Sequence, residues 1–241
     1  MSSRLIRNLV MRDGTLSQAS RQRMLDALTT TRVVRAGEDI VTQGSRPSVC
    51  TLVVEGWAGR YNRLSNGRRQ MVALHVPGDL VDLHSFPLKI MDHGVTALTD
   101  CTLAAAPHAR IREITESDPH LARLLWLLTT VDAAILRRWL LGSGQQPALE
   151  NTAHLICELF TRLQVAGLAT LDRPFELPLS QEVLGDALGI SSVHVSRTLT
   201  ELRSRNLFHW RRGEGEILDW PALRSVAEFD AGYLSLMDEP R

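Results

Sequence analysis

Cysteine is scarce in this chain of 241 residues: Cys50, Cys101 and Cys157 lie far apart and form no C-x-x-C pair. That spacing offers neither a disulfide framework nor a thiolate site for zinc or an iron–sulfur cluster, so buried free thiols are expected. Long apolar runs are absent too, none approaching the roughly 20 residues that a membrane-crossing helix requires. The N-terminal stretch MSSRLIRNLVMRDG lacks a continuous apolar core and a small-residue cleavage site, which argues against export and makes the cytoplasm the expected compartment, with no membrane partner. Net charge is also missing, with 27 basic and 27 acidic residues. What remains, 44% hydrophobic and 22% charged residues, is ordinary globular composition at a length that favours two domains joined by a connector.

The balanced charge is unevenly placed. From residue 197 to 212 stand Arg197, Arg203, Arg205, Arg211 and Arg212 against one acid, Glu201, while the flanking segments are rich in Asp and Glu. A positive stretch of this kind suits a phosphate backbone better than the zero total suggests.

Along the chain, residues 4 to 31 carry helical spacing that ends at Thr29-Thr30-Thr31, whose β-branched side chains disfavour continuation. From Val33 to about Ala106 the pattern changes to short apolar runs separated by turn signals. These are Ala36-Gly37-Glu38, Gln43-Gly44-Ser45, Glu55-Gly56, Ser65-Asn66-Gly67 and Pro77-Gly78-Asp79. Many short strands with regular turns predict a sandwich or barrel. Asn66-Gly67 predicts a hairpin with a two-residue turn and positive φ at both positions.

After the cap and first-turn proline of Asp118-Pro119 comes a stripe at spacings of three and four: Leu121, Leu124, Leu125, Leu128, Val131, Ile135 and Trp139. A helix of about 23 residues exceeds what a small barrel covers, and its seam suits a two-stranded coiled coil. Leu121, Leu124, Leu128, Val131, Ile135 and Trp139 are therefore expected to form a homodimer interface, the alternative being packing within one chain. Gly142-Ser143-Gly144-Gln145-Gln146-Pro147 is expected to break the helix as a hinge, with a new helix from Ala148 to about Val165. The resulting division is 1–117 for a barrel with an N-terminal helix, 118–142 for the long helix and 143–241 for a second domain.

In that second domain, Ser180 to Leu188 reads as a capped helix. Gly189-Ile190-Ser191 supplies a tight turn with a new cap, and Ser192 to Arg205 a second helix. Val183, Leu184, Leu188, Ile190, Val195, Leu199 and Leu202 supply its internal contacts, as in a helix-turn-helix. Ser191, Ser192, His194, Ser196 and Arg197 then stand where such a helix meets base edges. Arg197 is the first choice for direct readout, because a guanidinium donates two parallel bonds to guanine O6 and N7. Phe208-His209-Trp210-Arg211 and Ile217-Leu218 predict a wing around a tip at residues 212–216, with Arg211 and Arg212 as candidates for phosphate contacts and Arg203 as a further DNA-binding candidate.

With barrel, long helix and winged helix-turn-helix in that order, the chain resembles the Crp/Fnr family of bacterial transcription regulators over nearly its whole length, most strongly at 180–218. The resemblance implies an α+β fold: a cyclic-nucleotide-binding-like β-barrel (jelly roll), a dimerisation helix and a C-terminal winged helix-turn-helix. It also implies double-stranded DNA and RNA polymerase as partners, and a palindromic operator. Ser196-Arg197 keeps the family's recognition core, but Val193 replaces its glutamate, so the preferred half-site is expected to differ. Where nucleotide-binding members place a Gly-Glu pair and a later Arg-Ser/Thr, this chain has Asp82-Leu83 and Val95-Thr96. Without that arginine to neutralise the cyclic phosphate, no conventional cyclic-nucleotide response is expected. The family's N-terminal cluster cysteines are missing, so that sensor and its cofactor are not expected either.

Asp82, His84, His93 and Thr96 are the candidates for a pocket holding some other small-molecule effector, and the segment from Asp79 to His84 with Asp92-His93 could line a pocket for another ligand or a metal, against the plainer reading of a polar loop beside the barrel. An enzyme built on a metal-binding barrel is disfavoured, since His75, His84, His93 and His108 lack the expected close ligand spacing. No metal and no cofactor are therefore assigned. An architectural DNA-binding protein without sequence preference is the remaining alternative.

Overall fold

The computed structural model describes residues 3–67 and 69–236. Two short helices, α1 (Ser3–Val10) and α2 (Gln18–Asp26), lead in, the second capped by Ser17 accepting from the Ser20 N–H at 3.0 Å. Seven short strands follow: β1 (Thr30–Val34), β2 (Asp39–Val41), β3 (Val49–Glu55), β4 (Ala58–Arg63), β5 (Arg69–His75), β6 (Gly94–Ala97) and β7 (Cys101–Pro107). A single turn of helix, α3 (Ser85–Leu88), sits between β5 and β6. The strands form two antiparallel sheets in the orders β1-β7-β3 and β2-β6-β4-β5. Val34, Ile40, Val53, Val81, Met91, Val95 and Leu103 fill the space between them.

All five sequence turn signals hold a glycine at positive φ. Gly56 shows why one of them must be glycine: a Cβ there would stand 2.3 Å from the Asp100 carbonyl oxygen, where β3 turns into β4 against the β6–β7 connection. The β4–β5 hairpin forms with Arg63 opposite Arg69. Its turn differs from expectation. Gly67 donates to the Leu64 carbonyl at 2.9 Å and has φ 83°, while Asn66 stays out of the left-handed region. The loop is longer than two residues, so its twist needs only one such position.

After α4 (His108–Ser117), Asp118 accepts from the Leu121 N–H at 3.0 Å and opens α5 (Pro119–Gln145), 27 residues long. Residues 142–144 therefore do not break the helix. Two glycines cost about 1 kcal/mol each relative to alanine in a helix, and tertiary packing overrides this. Gly142 lies so close to the next helix, α6 (Ala148–Ala166), that a Cβ would sit 2.2 Å from Asn151 Oδ1. The break falls on Gln146 and Pro147, both extended.

The apolar stripe of α5 is buried inside the chain. Leu121 and Leu124 are fully covered by α1, α2 and the outer face of β3 and β7, while Val131, Ile135 and Trp139 pack with Trp57, Met71, Leu74 and α6. Leu128 is half-buried. Leu121, Leu124, Val131, Ile135 and Trp139 are thus buried within the single chain, the alternative that the sequence left open. The opposite face exposes Trp126 (73%), Leu136 (48%) and Leu140 (73%).

The C-terminal unit comprises α6, β8 (Phe175–Glu176), α7 (Gln181–Leu188), α8 (Ser192–Ser204), β9 (Phe208–Arg211), β10 (Glu214–Ile217) and α9 (Trp220–Val226), with a closing 3-10 turn at Ala231–Leu234. It is tied to the barrel by Arg162. That guanidinium pairs with Asp79 at 2.6 Å and Glu158 at 3.1 Å, and donates to the Leu74 carbonyl at 2.7 Å. Asp186 of α7 also pairs with Arg69 of β5 at 2.9 Å. The three cysteines are buried free thiols, with burial pushing Cys50 and Cys157 up to about 12. No described helix is long and apolar enough to cross a membrane.

Candidate nucleic-acid interface

Local chemistry places the helix pair. Ser180 caps α7 by accepting from the Val183 N–H at 3.1 Å, and Gly189 ends it at φ 70°. Ser191 then caps α8 by accepting from the His194 N–H at 3.2 Å. The two helices approach closely at Gly185, where a Cβ would lie 2.6 Å from the Ile190 carbonyl oxygen. Val183, Leu184, Leu188, Val195 and Leu202 are buried beneath the pair.

The outward face of α8 follows from 3.6-residue periodicity about Arg197. Val193 (61% exposed), His194, Arg197, Thr200 and Ser204 are exposed along it. Ser192 and Ser196 are half-buried on one flank, and Arg203 is exposed on that same side. Ser191 stands at the helix mouth with its oxygen already used in the cap. Glu201, the one acid of the stretch, is engaged by Arg205, one turn away on the helix. Among the described residues no carboxylate pairs with Arg197, Arg203, Arg211 or Arg212, so their charge is available to a ligand. Val193 and Thr200 were not among the sequence candidates. Their signal was the spacing of three and four from Arg197.

The wing is tighter than its sequence suggested. β9 and β10 pair with Arg211 opposite Glu214, leaving Arg212 and Gly213 as the whole tip, both at positive φ (54° and 81°). Gly215 is a strand residue: a Cβ there would press within 3.0 Å of Phe208 and Phe175. β8 completes a three-stranded sheet behind the tip.

The four candidate effector residues do not form one pocket. Asp82 is fully buried and its carboxylate accepts from both the backbone N–H and the hydroxyl of Thr51, a pin between the β5–α3 loop and β3. Burial raises its pKa to about 6 against those hydrogen bonds. Thr96 lies within β6, its hydroxyl donating to the Glu38 carbonyl at 3.3 Å. Val95 beside it is fully buried in the barrel's apolar interior. His84 and His93 do meet, Nε2 to Nε2 at 2.7 Å, with Asp92 Oδ1 at 3.7 Å from His93 Nε2. Burial, then the nearby Arg60 charge, lowers both imidazoles, His84 to about 4.

A winged helix-turn-helix with an unpaired arginine face, carried behind a jelly-roll barrel and a long helix, defines a DNA-binding regulator. Residues 152–226 match the Crp-like helix-turn-helix domain and residues 31–118 the cyclic nucleotide-binding domain. The chain is 31% identical over 198 residues to the nitrogen fixation regulation protein FixK of Rhizobium meliloti, covering 80% of this chain and 84% of that one. It is 29% identical over 174 residues to the transcriptional activator protein FnrL of Cereibacter sphaeroides, covering 71% and 69%. The solved structure of FixK2 from Bradyrhizobium japonicum superposes with a TM-score of 0.74 at 26% identity, covering 82% of this chain and 96% of that one. The chain belongs to the Crp/Fnr family. It is a DNA-binding transcription regulator and not an enzyme.

Proposed function

We propose that the protein acts as a homodimer on an inverted-repeat operator, with α8 of each protomer in successive major grooves about 34 Å apart. Arg197 reads a base edge, flanked by His194, Val193 and Thr200. Arg203, Arg211 and Arg212 hold phosphates, while Ser191, Ser192 and Ser196 border the groove. Protomers meet along the outer face of α5. Ala122, Trp126, Thr129, Ala133, Leu136 and Leu140 recur there at alternating spacings of four and three, the repeat that keeps two helices in register. The observation that carries this reading is the exposure of Trp126 and Leu140, each 73%, in that repeat. Single exposed apolar residues are unremarkable, but a spaced row on one helix is an unfilled interface.

RNA polymerase is the partner through which the bound dimer alters transcription. The effector is not a conventional cyclic nucleotide, because the family's phosphate-binding arginine is replaced by Val95 and Asp82 is spent on Thr51. A signal in the barrel reaches α8 through α5 and the Arg162 and Asp186 contacts, shifting a pre-existing equilibrium between DNA-competent and incompetent dimers.

Two measurements test this. Sedimentation should give a dimer that Trp126→Lys with Leu140→Lys converts to a monomer of unchanged circular dichroism. Selection from random DNA should recover an inverted repeat. Arg197→Ala should cost about 1–3 kcal/mol of discrimination at one base position. A monomeric wild type, or an Arg197→Ala protein selecting the same sequence, overturns the respective part.

A further inference from the structure

We propose that His84, His93 and Asp92 form a binding site for a divalent transition-metal ion, held by two imidazole nitrogens and one carboxylate oxygen. One ligand atom from each of the three residues lies within 4.8 Å of the other two. The imidazoles already face one another through Nε2, the atoms a shared ion would take. His93 Nδ1 lies 3.4 Å from the Gly94 carbonyl, which favours the proton on Nδ1 and leaves the Nε2 lone pair free.

Two nitrogens about 2.0–2.1 Å from one tetrahedral ion stand roughly 3.3 Å apart. The rings at 2.7 Å therefore need to part by about half an ångström. His84 sits in the loop that turns into α3, and Asp92 is 74% exposed, so neither end is held by the barrel core. The opposing charge of Arg60 is neutralised by Asp132 of α5 at 2.5 Å. Two borderline nitrogen donors with one oxygen suit Zn2+, Fe2+, Co2+ or Ni2+ and disfavour Mg2+ and Ca2+, which take oxygen shells. Three protein donors leave at least one coordination position open. His84 also forms part of the cleft wall with Arg60, Thr129 and Asp132, which places the ion beside α5.

The test is titration of the untagged, chelator-treated full chain with Co2+, read by its visible ligand-field absorption, followed by Zn2+ competition. One equivalent should bind per chain, and Zn2+ should displace it. His84→Ala and His93→Ala should each weaken binding more than about 100-fold, since even the outer partners of metal ligands are worth 10–100-fold. Asp92→Asn, at an exposed position that leaves folding intact, should weaken it about 10-fold or more. Absence of a stoichiometric Co2+ spectrum in the wild type, or wild-type affinity in Asp92→Asn or in a folded histidine variant, overturns the site. The readout needs no DNA, so it stands or falls separately from the operator and dimer.

Discussion

Replacing Arg162 with methionine removes the cation between the barrel and α6 while keeping most of the side chain's volume. Arg162 is 11% exposed and faces Glu158, fully buried, and Asp79, 16% exposed. Removing one partner of a buried ion pair costs about 3–5 kcal/mol, because the other charge is left without compensation. Asp79 can regain some water and Glu158 can take up a proton, so the lower end, about 3 kcal/mol at pH 8, is expected. At about 2–4 °C per kcal/mol for a chain of this size, the melting temperature should fall by roughly 6–12 °C.

The loss should depend on pH. Burial already raises the Glu158 carboxyl against the opposing Arg162 charge and the hydrogen bonds from Tyr233 and Trp139, and losing Arg162 raises it further. A glutamate unfolds into water with a pKa near 4.3. Above that the native variant holds a proton that the unfolded chain releases, so its stability falls as pH rises. The deficit should therefore be smaller at pH 5 than at pH 8. Adding Glu158→Gln should recover much of it, since the amide oxygen still accepts from Trp139 Nε1 and Tyr233 OH. Thermal and urea unfolding followed by circular dichroism at both pH values reads all three quantities. A deficit under 1 kcal/mol, an equal deficit at the two pH values, or no recovery in the double variant would refute the reasoning.

Gly142→Ala should destabilise the protein by about 1–3 kcal/mol through overpacking against Asn151, whereas Gly144→Ala, with nothing within 4 Å, should stabilise it by up to about 1 kcal/mol; urea midpoints distinguish them, and equal effects would show that the α5–α6 approach is not tight. His154 is buried beside Arg138 and lowered to about 4. The unfolded chain therefore protonates first, and stability present above pH 6.5 is lost as pH falls toward 4, on the order of 3 kcal/mol at about 1.4 kcal/mol per pH unit. His154→Gln should flatten that part of the urea-midpoint profile, and an unaltered slope would exclude His154 as its source. At the wing, Arg211→Ala and Arg212→Asn should each reduce the slope of log affinity against log salt by about 0.9 without altering sequence preference; asparagine keeps a residue that tolerates the left-handed tip. A changed preference with an unchanged slope would mean these side chains touch bases instead.

The winged helix-turn-helix was legible from residues alone because its determinants are local. Ser180 and Ser191 cap the helices that follow them, Gly189 ends α7, and the arginines stand within 16 residues of one another. The barrel's turns were legible for the same reason, since each glycine's positive φ is a property of its own backbone. Periodicity likewise revealed that α5 has an apolar stripe. It could not reveal what covers the stripe, because burial by the same chain and burial by a second chain ask for the same spacing. Only packing showed Leu121, Leu124, Val131, Ile135 and Trp139 covered within the chain and Trp126, Leu136 and Leu140 left outside. The fate of Gly142, a helix breaker by propensity and a close-approach residue by contact, was settled across α6 in the same way. So was the meeting of His84 with His93, nine residues apart and joined by the turn of α3. Local backbone preferences are written residue by residue, whereas the partners of a buried face or of a pair of imidazoles exist only once distant segments have packed.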